Sequence, residues 1–239
     1  MPVVACGLHS QVPAVAAGIQ SERPSARVGY LMTDGAALPL AWSNLVRATV
    51  DAGLVHVTAT AGHAFGGDLE TVNVFSGLVA LRHAAEVDVA IVALGPGVVG
   101  TSTVLGFTAI EQGQVLDAVA ALGGRGVACL RVSFADERPR HRGVSHHTLT
   151  ALSVAAREPA DLVVPAIAET EELLGQLGPL ADRHRLHVVD PASGMELLRK
   201  TGLRLSSMGR SLHEVPETFA AAVAAGTHAA RLAGDSLDR

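Results

Sequence analysis

The stretch Val87–Val132, VDVAIVALGPGVVGTSTVLGFTAIEQGQVLDAVAALGGRGVACLRV, decides the fold class. Its two ends, Val87–Leu94 and Gly126–Val132, are short apolar runs that read as buried strands. Between them lie a glycine-rich turn, Gly95–Thr103, and a helical pattern over Ile110–Leu122 that Gly123-Gly124 closes. Strand, glycine-rich tip, helix and strand together make one parallel crossover unit, which in a single sheet is right-handed.

The alternation continues in both directions. Strands are expected at Val3–Cys6, Val28–Met32, His56–Ala59, Asp161–Val164 and Leu186–Val189. Helices are expected at Val12–Gln20, Leu40–Ala52, Leu69–Ala85, His146–Arg157, Glu169–Arg183, Gly194–Thr201 and Pro216–Leu232. The pattern predicts an α/β fold, a three-layer sandwich whose mostly parallel, Rossmann-like sheet carries helices on both faces. It predicts one domain over 1–233, with a weak subdivision near 158–160 and a flexible polar tail over 234–239.

Composition narrows the function. Of 239 residues, 49% are hydrophobic, enough for a substantial buried core. The net charge is −5 and Lys200 is the only lysine, so a nucleic-acid partner is not expected. Aromatic residues are 3% of the chain, which leaves little for base stacking. The apolar runs are broken well short of a membrane span, and residues 1–20 show no secretion signal. Cys6 and Cys129 sit in apolar strands and read as reduced, buried thiols, so a cytoplasmic setting is expected, with no membrane partner. Ala- and Leu-rich helices suggest a homodimer.

In open parallel sheets, ligands bind beyond the carboxyl ends of the strands. Here those ends carry Leu8-His9-Ser10, Thr33-Asp34-Gly35, Gly62-His63 running on to Asp68, Gly95–Thr103, Ser133–His147 and Asp190-Pro191. The densest is Arg131–Thr150, RVSFADERPRHRGVSHHTLT. There Arg138, Arg140 and Arg142 alternate, so an extended segment turns three guanidinium groups to one side, where they can clamp an anion. Local pairing with Asp136 and Glu137 is the plainer alternative. Ser145 is placed as a helix N-cap. His146 and His147 follow it, at a helix end that disfavours imidazolium and keeps a base or metal ligand neutral. Adjacent helical residues diverge by about 100°, so the two are not expected to share one metal.

Gly95-Pro-Gly97-Val-Val-Gly100 matches the dinucleotide pattern G-x-G-x-x-G. However, no helix begins until near Ile110, and no acid ends the next strand. Glycines with Thr101, Ser102 and Thr103 fit better as a donor nest for phosphate or carboxylate. The bland alternative is a turn that lets the chain pass close to a neighbour. His63, Asp68, Asp34, Asp136 and His141 supply the N and O atoms of an acid–base pair or a divalent metal shell. The chain contains no G-x-S-x-G, and neither cysteine has an activating neighbour, which argues against serine-hydrolase and thiol chemistry.

The motifs MTDGAALP (Met32–Pro39), GHAFGGDLETVNVFSGL (Gly62–Leu78), GPGVVGTST…GFTAIEQG (Gly95–Gly113) and SFADERPRHRGVSHHTLT (Ser133–Thr150) occur in this order. Together they resemble an uncharacterised bacterial family, common in Gram-positive lineages and known as a domain of unknown function. The resemblance implies bacterial origin and a cytoplasmic setting, and brings no activity with it. Longer relatives carry an additional N-terminal, β-rich segment. The family's loop more often reads GTGT where this chain has Gly100-Thr-Ser-Thr103.

The residues taken together predict an enzyme acting on a small anionic substrate, phosphorylated or nucleotide-like, by hydrolysis or group transfer. Gly95, Gly97, Gly100, Thr101, Ser102, Thr103, Arg140, Arg142 and His146 are the expected ligand contacts. His63 or His147 is the expected base, oriented by Asp34 or Asp136, with Asp68 and His141 as metal ligands if a divalent ion is the cofactor. The competing expectation is a non-catalytic binding or regulatory module whose strand-tip loops hold an anion or form a subunit interface.

Overall fold

Continuous apolar strands suit a sheet covered on both faces, and that is the arrangement found in a computed structural model, which describes residues 1–36 and 38–235. The strands are β1 Pro2–Cys6, β2 Val28–Thr33, β3 Val57–Ala61, β4 Leu69–Thr71, β5 Val89–Leu94, β6 Arg125–Cys129, β7 Val132–Ser133, β8 Gly143–Val144, β9 Asp161–Pro165, β10 Arg185–Val189, β11 Ser206–Ser207 and β12 Arg210–Ser211. Eight of them form one sheet in the order β10-β9-β6-β1-β5-β2-β3-β4. Every pairing in it is parallel. The short pairs β7–β8 and β11–β12 are antiparallel ribbons outside it.

Helices α1 Val12–Glu22, α2 Asn44–Asp51, α3 Val74–His83, α4 Glu111–Ala121, α5 His146–Thr150, α6 Thr170–Leu177, α7 Ala192–Lys200 and α8 Pro216–Asp235 complete the chain. Alternate strand residues feed two cores, because a strand's period of two sends neighbours to opposite faces. Val4, Tyr30, Ile91 and Val127 pack under α1, α2, α7 and α8. Val3, Leu31, Val92 and Ala128 pack under α3, α4 and α6. After β1 the chain moves toward β2 and after β5 it crosses back to β6, so the direction reverses at the β1, β5 and β6 tips. A ligand crevice is expected at such a reversal.

Several boundaries differ from the sequence expectation. Helix α2 starts at Asn44 rather than Leu40, because Ser43 caps it by accepting the Val46 N–H at 3.2 Å. Leu69–Thr71 pairs with β3 as an edge strand instead of opening a helix. Helix α3 begins after Asn73, which exchanges capping bonds with Ser76. Helix α5 is only five residues long and continues as a π turn over Ala151–Ala155. The tail expected over 234–239 starts inside α8, and residues 236–239 lie outside those described.

The Ala-rich surfaces that suggested a homodimer are consumed within the chain. Ala14, Ala16 and Ala17 of α1 and Ala221, Ala222, Ala224 and Ala225 of α8 are fully buried, and the two helices pack on each other. Among the described residues no helix is long and apolar enough to cross a membrane.

Candidate functional site

Beyond β6 the chain turns through the β7–β8 ribbon and encloses a small lobe, 134–142. Asp136 organises it by accepting the Arg138 backbone N–H at 3.1 Å and both ends of its guanidinium at 3.0 and 2.9 Å. Pro139–His141 then forms a single 3-10 turn, so the segment is not extended and the expected row of three arginines does not form. Arg138 folds onto Asp136, and Arg142 donates to the Phe134 carbonyl at 3.2 Å. Arg140 is exposed and makes no hydrogen bond or ion pair with any described residue.

Ser145 caps α5 as expected, accepting the His147 N–H at 3.3 Å. Its hydroxyl is also 2.7 Å from His141 Nδ1. His146 and His147 occupy the first turn of α5, where side chains lean back toward the N-terminus. Both therefore reach His141, and the ring centroids lie 4.4 Å (146–147), 4.8 Å (141–146) and 4.9 Å (141–147) apart. One ligand-capable atom from each of the three lies within 4.8 Å of the others. The divergence expected of the His146 and His147 side chains is not seen in the ring positions. That expectation assumed a regular helix with side chains radiating from it, and both rings instead bend onto the preceding turn.

Arg131, 6% exposed, lies beside the histidines, with Nη1 donating to His147 Nδ1 at 3.3 Å and Nη2 3.9 Å from Asp136. A guanidinium has no acceptor, so Nδ1 of His147 carries the lone pair and Nε2 the proton. Burial, then the nearby Arg131 charge, pushes His147 down to about 3. Burial, then Arg131 and Arg138, pushes His141 to about 4. His146 is lowered by burial and then by Arg140. All three imidazoles are neutral at physiological pH. Asp136, bonded by Arg138, is held well below the usual carboxylate range. Phe107 stacks flat on His147 at 4.1 Å and meets His146 edge-on. His146 Nε2 is buried without a hydrogen-bond partner.

Phe107 ends the glycine-rich loop, which runs from the β5 tip to the histidines and brings Gly100 against the His147 ring edge. Several of the loop's donors are used within it. Thr101 N–H bonds the Gly106 carbonyl, Thr103 N–H bonds Thr101 Oγ1, Gly106 N–H bonds Thr103 Oγ1, and Val99 N–H bonds Thr108 Oγ1. Thr101 and Thr103 therefore shape a hairpin, and no helix N-terminus follows the glycines to receive a pyrophosphate. On its other side, Gly97 helps line a cleft of about 470 Å³ with His9, Ser10, Trp42, Ser43 and Met208. Buried His9 bridges Tyr30 Oη at 3.1 Å and Ser43 Oγ at 2.7 Å in the wall of this cleft.

The remaining expected residues lie at neighbouring tips. Asp34 accepts the His63 backbone N–H at 3.1 Å. Beside it stands Glu111, which accepts from Thr33 Oγ1 at 2.9 Å. Burial raises the Glu111 carboxyl above its ordinary range, the Thr33 bond opposes this, and Asp34 adds to it. Asp68, expected as a metal ligand, is bonded to Thr58 on the neighbouring strand. Its Oδ2 accepts Thr58 N–H at 2.8 Å and Thr58 Oγ1 at 2.9 Å, and it belongs to neither metal-capable group among the described residues. Arg131, Glu111 and His9 were not among the expected site residues. Arg131 had a visible signal, a charge directly following a run of buried apolar residues.

The second metal-capable group, Asp161 with His187 and His228, lies at the opposite edge of the sheet. Asp161 opens β9 and is fully buried, with Arg125, Arg185 and His228 all bonded to its carboxylate. Burial alone pushes this carboxyl up, but the His228 and Arg185 bonds outweigh it and hold it well below its ordinary value. With two arginines already there, the cluster is a structural charge knot. Asp161→Asn is expected to cost about 2–3 kcal/mol, somewhat less than a fully buried pair because both arginines are half exposed and can rehydrate. Urea unfolding checks this, and an unchanged midpoint contradicts it.

A family model described as "Protein of unknown function (DUF3866)" matches residues 1–226. No curated protein and no solved structure matches the chain.

Proposed function

The chain belongs to the DUF3866 family of proteins of unknown function, and from its geometry we propose an enzyme that acts on a small anionic substrate, phosphorylated or nucleotide-like, at the C-terminal edge of the sheet. The observation that carries this reading is the pairing of opposites around α5. Three neutral imidazoles face one another, with a buried guanidinium, Arg131, beside them and an unneutralised one, Arg140, at their rim. An anion is attracted there by two arginines while lone-pair and N–H nitrogens stand ready for proton transfer. Hydrolysis or group transfer fits best, because the glycine loop lacks the helix start a dinucleotide requires.

In this reading Arg140 binds the anion and the imidazole cluster activates the attacking group. The body of the substrate occupies the cleft, whose Gly97 wall belongs to the same loop that touches His147. Arg142, held by the Phe134 carbonyl, lends charge from the far side of the lobe. Asp34, His63 and Glu111 form an acidic neighbour suited to a substrate hydroxyl or amine.

A thermal-shift screen of phosphate, pyrophosphate and nucleotides tests this. A ligand at about 100 times its Kd adds roughly 2.7 kcal/mol, which for a chain of this size is a rise of about 5–10 °C. Arg140→Ala is expected to remove most of that rise. Turnover of the shifting ligand, lost in His147→Ala with affinity retained, separates an enzyme from a binding module. If no anion raises the melting temperature, or Arg140→Ala responds like the wild type, the reading fails.

A further inference from the structure

We propose that His141, His146 and His147 form a binding site for one divalent transition ion of the zinc type, with an open coordination position toward the anion. The inference rests on the functional reading above and supplies its activating group. Three imidazoles from a five-residue helix and the turn before it are an economical way to converge nitrogen donors, and three histidines with one open position suit zinc chemistry.

Zinc–nitrogen bonds of about 2.0–2.1 Å place tetrahedral ligand nitrogens about 3.4 Å apart. The donors here spread to at most 4.8 Å, so ring rotations that draw them in by about an ångström close the site. The surroundings already match what such ligands need. Ser145 Oγ, 2.7 Å from His141 Nδ1, can fix that ring and leave its Nε2 for the ion. Phe107 holds the His147 ring plane from behind. His146 Nε2 is buried with nothing bonded to it, a lone pair or N–H that the protein alone leaves unsatisfied.

Arg131 makes the site conditional. It donates to His147 Nδ1, and that contact cannot coexist with the ion. If Nδ1 binds the ion, its lone pair is used. If Nε2 binds it, the proton moves to Nδ1 and faces the guanidinium. In either case Arg131 is released toward Asp136, whose carboxylate is only 3.9 Å away. The bound ion would add positive charge beside Arg140, so cation and anionic substrate should favour each other. A water on the ion loses a proton readily. Such an ion would supply a hydroxide nucleophile to the phosphorus of the bound anion, the bond to the leaving group breaking as the leaving group takes up the water's other proton.

The test is titration of the chelator-stripped full chain with Zn²⁺ against a chromophoric chelator, and with Co²⁺ followed by its visible bands. One ion per chain with four-coordinate cobalt bands is expected. His141→Gln and His146→Gln should each weaken binding by at least about tenfold, with melting in the absence of metal unchanged. Arg131→Met should tighten it, since it removes a competing cation and the donor on His147 Nδ1. His187→Gln, at the opposite edge, should leave it unchanged. Absence of a bound ion, retention of the ion by the His141→Gln/His146→Gln double variant, or its loss in His187→Gln would overturn the proposal. The titration contains no anion, so its failure removes the ion alone, while the functional reading stands or falls on the Arg140 response.

Discussion

Gly226→Ala is expected to destabilise the protein by about 3 kcal/mol or more, lowering Tm by about 10 °C. Helices α1 and α8 pack backbone to backbone. A methyl group on Gly226 would overlap the Val15 carbonyl oxygen, and one on Gly18 would overlap the Val223 carbonyl oxygen. The obstacles are main-chain atoms inside helices, so no side chain can rotate away and the helices must separate. Separation opens the core in which Val12, Val15 and Ile19 are buried. The gain in helix propensity from alanine, about 1 kcal/mol, offsets only part of this. Gly175→Ala is the matched control. Gly175 is exposed in α6, and a methyl group there meets nothing within 4 Å. That variant should gain about 0.5–1 kcal/mol. Thermal melts of the two variants side by side decide the matter, and equal small effects would contradict this packing.

The second large effect is a loss of stability in mild acid. His9 and His141 titrate at about 4 and His147 at about 3, in each case first because burial disfavours the charged ring. Their unfolded value is about 6.5. A depressed folded value means the unfolded chain binds more protons between the two, so stability rises with pH in that window. It is complete above about pH 6.5 and falls as pH drops toward 4. Each ring contributes up to about 1.4 kcal/mol per pH unit, and three together up to about 4 kcal/mol per unit near pH 5. That is comparable with the whole stability of many domains. Asp161 behaves differently, because its folded value is depressed below the carboxylate range and its contribution is lost only in stronger acid. Melting in the presence of chelator from pH 7.5 to 4.5 should show a steep decline beginning near 6.5. A flat profile down to pH 5 would mean that the buried imidazoles accept protons in place.

The central strands were legible because parallel, doubly covered strands are uninterrupted apolar runs, and β1, β2, β5, β6 and β9 are buried along almost their whole length. The edge strand Leu69–Thr71 was not. It is half exposed, and its apolar spacing runs smoothly into helix α3. At the candidate site, the density of titratable groups in Arg131–Thr150 was legible in the sequence, but the geometry within it depends on one residue. Pro139 sets a 3-10 turn that breaks the arginine row and delivers His141 to the other two histidines. Glu111 was hidden by its spacing from Thr108, which imitates a helix capping box. In the fold Thr108 bonds Val99, and Glu111 accepts from Thr33 on a neighbouring strand. His9 was visible only as one of several polar strand tips, since Tyr30 and Ser43 reach it only through the fold.

Anion binding is proposed at the imidazole–arginine cluster around α5. Long-range ¹H–¹⁵N spectra of the histidine rings during titration with inorganic pyrophosphate test it most directly. The His141, His146 and His147 ring signals should move together, those of His187 and His228 beside Asp161 should stay fixed, and Arg140→Ala should abolish the response. Movement confined to His187 and His228, or no movement at the three α5-side rings, would contradict it.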